Sequence, residues 1–174
     1  MKIRNFFKKY AKRYFIDAMS FMALGLFASL LIGTILETIG NIPFLNFLND
    51  PLIINNKEYS SITSTMKSAA VYGAAIGFAI AYGLKNDPLV IFSSGVVGAI
   101  GSVYGGPVGA YLGSLFGMEV GKLVSKKTPI DIIVTPLVVT LVGGIVSYLI
   151  GPGINMFMVS LGNFINEAAT LQPI

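Results

Sequence analysis

The residues best suited to chemistry lie close together near the end of the chain. Three amides and a carboxylate fall within about three helical turns, at Asn163, Asn166, Glu167 and Gln172. Polar and ionisable residues at membrane depth usually face a substrate or a polar partner. The segment therefore predicts a substrate-binding surface, with the water-exposed end of the chain as an equally weighted alternative.

Two residue types that carry much of enzyme chemistry are missing. The chain contains no Cys and no His, which excludes thiolate chemistry, disulfides and phosphohistidine or phosphocysteine carriage. A nucleophile and its base would have to come from scattered Ser, Lys and carboxylates. We therefore expect no catalytic residues, no metal site and no cofactor.

The composition is that of a membrane protein. Hydrophobic residues make up 54% of the 174 residues, charged residues only 11%, and the mean hydropathy is +0.76. A soluble domain carries about a quarter charged residues. The chain is therefore predicted to be an all-α integral membrane protein.

Uncharged runs and turn residues divide this membrane domain, residues 17–174, into helices. A span needs about 20 apolar residues, and we expect breaks at Gly105-Gly106-Pro107 and at Gly151-Pro152-Gly153. Thr128 is the expected cap of the fifth helix, with Pro129 in its first turn and a kink at Pro136. The predicted helices are about five spans, 17–39, 68–84, 88–104, 107–124 and 129–150, and a shorter polar sixth helix, 154–170.

The distribution of Lys and Arg predicts the orientation. With this helix count, ten of the twelve basic residues lie on one side, and only Lys57 and Lys67 lie on the other. Six of the ten precede the first span, so the positive-inside rule places the N-terminus in the cytoplasm. The expected location is the inner or plasma membrane, crossed several times.

Residues 1–16 form a separate basic, amphipathic segment. Ile3, Phe6, Phe7 and Tyr10 share one helical face, opposite several lysines. Such a helix lies on an anionic leaflet. A role at the membrane surface already explains the basic residues, so nucleic-acid binding is not predicted. The long apolar stretch that follows is unlike a cleaved signal peptide.

Glycines recur at four-residue spacing in two of the predicted helices. This spacing lets helix backbones approach closely, and predicts either a tightly packed interior or a seam in a homodimer. The packing glycines are Gly73, Gly77, Gly109, Gly113, Gly117 and Gly121.

Residues near the predicted membrane surfaces have simpler explanations. Glu119 and Lys122 stand one turn apart and are expected to pair, and Glu37 is expected to reach water. In the long loop after the first span, Leu52 to Ser60 with Asn55-Asn56 at its middle predicts a small extracellular hairpin.

Several stretches together resemble one family, the EIIC-like membrane components of the phosphotransferase system that include the perfringolysin regulator-like, or putative toxin regulator, proteins. The matching stretches are RYFIDAMSFMALGLFASLLIGTI (13–35), GPVGA (106–110), EVGKLVSKKT (119–128), DIIVTPLV (131–138) and NEAATLQP (166–173). They cover the length of the chain in a consistent order.

The resemblance implies a sugar permease component of a phosphoenolpyruvate-dependent phosphotransferase system, with these residues as its N-terminal half. Its expected partners are the lipid bilayer, a carbohydrate, separate cytoplasmic phosphotransferase components and a second copy of the chain. The alternative is a non-transporting regulatory or structural membrane protein that assembles through its glycine-rich helix faces.

The predicted orientation can be tested with single cysteines, since the chain has none of its own. A membrane-impermeant thiol reagent added to intact cells should label Asn55→Cys and leave Lys126→Cys unlabelled, because the basic residues divide ten to two. Labelling of Lys126→Cys from outside would overturn the orientation.

Overall fold

The computed structural model describes residues 8 and 10–171, and almost all of its regular structure is helical. Three of the described helices are long and apolar enough to cross a membrane, against five predicted spans. The all-α membrane class agrees with the prediction. The helices are α1 (Lys12–Ile39), α2 (Ile62–Met66), α3 (Ala69–Gly83, shorter but apolar), α4 (Pro88–Val124) and α5 (Asp131–Leu171).

The helix α4 is folded back on itself. Gly105 and Gly106 have non-helical backbone angles, and Gly106 has φ 60° and ψ −155°, a combination that glycine adopts readily. A β-carbon placed on Gly121 would lie 3.4 Å from Val90, although a straight helix would separate these residues by about 46 Å. The predicted turn is confirmed, and α4 consists of two antiparallel arms, 88–104 and 107–124.

The predicted break at Gly151-Pro152-Gly153 is wrong. Helix α5 runs without interruption from Asp131 to Leu171 with Pro136 and Pro152 inside it, so the expected sixth helix continues the fifth. A proline removes only one backbone donor, and a helix can bend around that loss instead of ending. At about 1.5 Å per residue, α5 is about 60 Å long.

The start of α5 also differs from the prediction. The helix begins at Asp131, and the carbonyl of Ile130 accepts hydrogen bonds from the amides of Ile133 and Val134. The hydroxyl of Thr128 is buried and has no hydrogen-bond partner. Thr128 therefore does not cap the helix, because it lies in the preceding turn, too early to reach the free amides.

The helices pack in sequence order. Helix α5 packs on α4, α4 on α3, and α3 on α1. The largest fully buried side chains, contributed by α3, both arms of α4 and α5, are Ile76, Ile80, Val90, Val97, Met118 and Val139. Helix α1 includes two wider π-type segments, Lys12–Asp17 and Phe27–Leu31. It contacts α3 through Gly25, where an added β-carbon would lie 2.6 Å from the carbonyl oxygen of Ala75.

The six glycines singled out for packing all lie between helices of the same chain. Gly73 and Gly77 face the first arm of α4, and Gly109 faces Gly101 across the hairpin. The neighbours of Gly113, Gly117 and Gly121 include Ser147 and Val139 of α5. All six are buried, so the chain's own helices cover the faces that were a candidate seam between two copies.

The loop between α1 and α3 contains the predicted hairpin. Strands β1 (Leu52–Ile54) and β2 (Lys57–Tyr59) pair in antiparallel fashion. Asn55 and Asn56 have φ of 50° and 59°, as a tight two-residue hairpin turn requires. A 3-10 turn, Pro43–Leu48, precedes it. Residues 1–7 and 9, half of the predicted amphipathic segment, lie outside the described residues, and helix is already present at Tyr10.

The closeness of α4 and α5 gives a test with an internal control. A β-carbon on Gly117 would lie 2.8 Å from the carbonyl oxygen of Val139, whereas one on Gly162 would meet nothing within 4 Å. Gly117→Ala should lower the free energy of unfolding by roughly 1–3 kcal/mol through overpacking. Gly162→Ala should raise it by up to about 1 kcal/mol, since alanine favours helix.

The two variants can be compared by denaturant unfolding in detergent micelles. Equal behaviour of Gly117→Ala and Gly162→Ala would contradict the requirement for close packing.

Candidate substrate-binding segment and polar clusters

Three of the four predicted binding residues, Asn163, Asn166 and Glu167, lie on one face of the last part of α5. Asn163, Asn166, Glu167 and Thr170 follow the spacing i, i+3, i+4 and i+7, which places them in a single stripe along the helix. All four are exposed, and the Thr170 hydroxyl donates to the Glu167 carbonyl at 2.8 Å. We call these residues the polar stripe. Gln172 lies outside the described residues.

The polar stripe stands beyond the packed part of the bundle. Gly151 lies against the turn of α4, 3.0 Å from the position of a β-carbon on Gly105. No described residue after Gly151 is buried. The remaining 20 residues of α5 extend for about 30 Å past that turn.

The rest of this extension is strongly apolar. Met156 is 72% exposed, and Phe157, Phe164 and Ile165 are also exposed. An apolar surface of this kind marks contact with lipid or with another protein surface. Here it flanks a carboxylate and two amides, so the extension combines an apolar surface with a row of hydrogen-bonding groups.

A basal cluster ties together the ends of α4 and the start of α5. The Asp87 carboxylate accepts hydrogen bonds from the Lys126 ammonium and, at 3.1 Å, from the Ser125 hydroxyl. Asp131 accepts from the Lys126 amide at 3.0 Å and from the Thr135 hydroxyl at 2.5 Å. These bonds hold the turn between the second arm of α4 and α5.

The predicted pair of Glu119 and Lys122 is confirmed, and it has a further partner. Lys122 donates to Glu119, and the Arg13 guanidinium of α1 lies 4.0 Å from the same carboxylate. Arg13 also donates to the Leu84 carbonyl at 3.2 Å. The start of α1 is therefore attached to both α3 and α4 at the end of the bundle that carries the basal cluster, which we call the basal end.

At the opposite end, charged and amide side chains close the long loop. Glu37 pairs with Lys67 at 2.6 Å, and the Asn49 amide donates to the Glu37 carbonyl at 2.8 Å. Thr63 donates to the Asn49 side chain at 3.1 Å. These residues line an open cleft of about 720 Å³. The expectation that Glu37 simply reaches water is incomplete, because its carboxylate is half of an ion pair.

One known protein family matches nearly the whole chain. Residues 16–174 match the family model described as "Phosphotransferase system, EIIC". The chain belongs to the phosphotransferase system EIIC family. No curated protein and no solved structure matched it.

Membership of the EIIC family makes the chain a membrane component of sugar transport in the general sense. Asn163, Asn166 and Glu167 of this EIIC chain share one face of α5, but the structure brings no other described element against them. Sequence reasoning missed Asn49 and Arg13 as tertiary contacts. Nothing in local spacing could reveal them, since Asn49 lies in an irregular loop and Arg13 is 71 residues from Leu84.

The basal cluster predicts a dependence of stability on pH. Hydrogen bonds from Lys126 and then Ser125 lower the pKa of Asp87 below its ordinary value of 3.8. Because the folded pKa is below the unfolded one, ionised Asp87 stabilises the fold at neutral pH, and that contribution disappears as the pH falls through the folded pKa. Asp87→Asn should therefore destabilise the EIIC chain at pH 7, and this loss should shrink as the pH falls through the folded pKa, which lies below 3.8.

Thermal unfolding in detergent at several pH values would measure this difference. Asp50→Asn is the matched control, since the Asp50 carboxylate has no hydrogen-bond partner among the described residues. A loss of stability in Asp87→Asn that stays equally large as the pH falls from 7 into the acidic range would argue against the ionic contribution.

Proposed function

We propose that this chain is the membrane-embedded part of a sugar permease in a phosphoenolpyruvate-dependent phosphotransferase system, contributing the N-terminal half of the permease. The observation that supports this most directly is the EIIC family match across residues 16–174. The chain would bind the sugar within the membrane, and separate cytoplasmic components would supply the phosphoryl group. Its location would be the cell membrane, with the N-terminus in the cytoplasm.

The polar stripe is the proposed sugar-binding surface. Glu167 would accept hydrogen bonds from sugar hydroxyls, while Asn163 and Asn166 would both donate and accept. Gln172 would add a third amide. Charge-assisted hydrogen bonds are stronger than neutral ones, so Glu167 is expected to contribute most of the affinity.

A binding site needs a second wall, because hydrogen bonds strengthen when water is excluded. The extension of α5 presents the polar stripe and apolar side chains on an uncovered surface. We propose that another part of the permease, either a further segment or a second copy of the chain, covers this surface. The sugar would then lie between the polar stripe and that wall.

The regulatory or structural alternative depends on assembly through the glycine faces. The six packing glycines are buried between helices of the same chain. Assembly of two copies would therefore use another surface, and the exposed extension of α5 is the better candidate. This observation favours the permease proposal over the glycine-seam alternative.

The permease proposal predicts that Glu167→Gln weakens sugar binding. The substitution keeps the shape of the side chain and removes its charge, and a lost hydrogen bond to a charged group should reduce the affinity by roughly tenfold or more. Calorimetry with a panel of hexoses, hexitols and disaccharides would identify a sugar that binds the unmodified chain and would then measure the variant.

Glu58→Gln is the matched control, because Glu58 is an exposed carboxylate on strand β2, outside α5. It should bind the sugar as the unmodified chain does. An unchanged affinity in Glu167→Gln, with binding to the unmodified chain demonstrated, would remove Glu167 from the site.

A further inference from the structure

A groove with an apolar part and a charged part runs along the contact between α1 and α3. Its apolar part, about 470 Å³, is lined by small residues, Gly25, Ala28, Ala75 and Ala79, between larger apolar side chains. Phe21 and Tyr82 continue it into a neighbouring cavity of about 380 Å³ that also reaches Lys85. A third cavity, of about 350 Å³, shares Phe21 and Lys85 and contains Arg13.

The packing of the two helices explains the shape of the apolar part. The backbones of α1 and α3 touch at Gly25 and Ala75, and the neighbouring alanines leave a shallow channel beside that contact. Phe78 and the 74% exposed Tyr82 form its edge. From Ala75 to Tyr82 the channel runs for about 10 Å along α3, which suits part of one acyl chain.

The charged part lies at the basal end, where α3 stops. Lys85 is exposed, and among the described residues its ammonium group has no hydrogen-bond or ion-pair partner. Arg13 uses one nitrogen for the Leu84 carbonyl and for its distant contact with Glu119, which leaves other guanidinium donors available. Asp17 also lines this cavity, and Glu119 lies beside Arg13 while pairing with Lys122. Three cations therefore stand against two carboxylates, and the local charge is positive.

We propose that this groove binds a phospholipid with an anionic headgroup. The acyl chain would lie in the apolar channel between Ala28 and Ala79. The phosphate and the headgroup would lie between Lys85 and Arg13. Basic pockets between membrane helices are suited to anionic headgroups.

The two chemistries of the groove favour a lipid over other ligands. A sugar would leave its hydroxyls without partners along the apolar channel. Free phosphate would use only the basic end. A phospholipid satisfies both parts at once, and this inference does not depend on the proposed sugar transport.

Native mass spectrometry of the detergent-purified full chain can test the proposal. Phosphatidylglycerol and phosphatidylcholine with identical acyl chains would be titrated separately, with inorganic phosphate as a third probe. We expect phosphatidylglycerol to bind more tightly than phosphatidylcholine. Lys85→Gln should weaken phosphatidylglycerol binding by roughly fivefold, as expected for one cation near a headgroup.

Further variants separate the two parts of the groove from general effects of charge. Ala28→Leu, at an exposed wall of the channel, should weaken the binding of both lipids by filling space that the acyl chain needs, and Ala79→Leu provides a second variant should Ala28→Leu fail to fold. Lys57→Gln, on the distant hairpin, removes the same charge and should leave binding unchanged.

Three results would overturn the proposal. The first is equal binding of the two lipids, and the second is an equal loss in Lys57→Gln and Lys85→Gln. The third is full competition of inorganic phosphate with phosphatidylglycerol, combined with unchanged lipid binding in Ala28→Leu and Ala79→Leu. That result would indicate a phosphate site without a lipid.

Discussion

Close approach of helix backbones is the constraint on which this fold depends. Inside a bilayer, apolar side chains gain little from burying one another, so helices associate mainly through van der Waals contact and hydrogen bonds. Here the two arms of α4 meet at Gly101 and Gly109, and α5 meets α4 at Gly117 and Gly113. Buried hydroxyls add bonds between helices, as where Ser102 donates to the Ala69 carbonyl at 2.5 Å. Small residues therefore make the closest contacts between the helices, while many large apolar side chains, such as Phe92 and Leu141, remain exposed on the outside of the bundle.

Among the described residues, the ion pairs lie at the two ends of this bundle and have a different role there. At the basal end, Asp87 and Lys126 connect the start and the end of α4, and Glu119 receives Arg13 from α1. At the other end, Glu37 and Lys67 join α1 to the segment that precedes α3. Each pair is partly exposed, so its energy is modest. The ion pairs determine which helix ends meet, while the glycines allow the helix backbones to approach closely.

Local chemistry explains which parts of the fold were predictable. Gly106 occupies a backbone conformation that favours glycine, and Asn55 and Asn56 suit a tight hairpin turn, so both reversals could be read from neighbouring residues. Gly151-Pro152-Gly153 has similar turn residues, but there the helix continues. Gly151 packs closely against Tyr104 and Gly105, and Pro152 removes only one backbone hydrogen-bond donor from the helix. The pairing of Asp87 with Lys126 spans 39 residues, and no local pattern encodes it.

For the proposed site, the spacing of Asn163, Asn166 and Glu167 indicated one shared face, whereas the surface that would complete it cannot be derived from these residues.

The length of α5 has a mechanical consequence. Its proline nearest the basal cluster, Pro136, is a natural point of bending. About 46 Å of helix separate Pro136 from Glu167. A bend of about 5° at the proline would therefore displace the carboxylate by about 4 Å. Helix α5 thus has the geometry of a lever, in which a small rotation near the basal cluster becomes a movement of about 4 Å at Glu167.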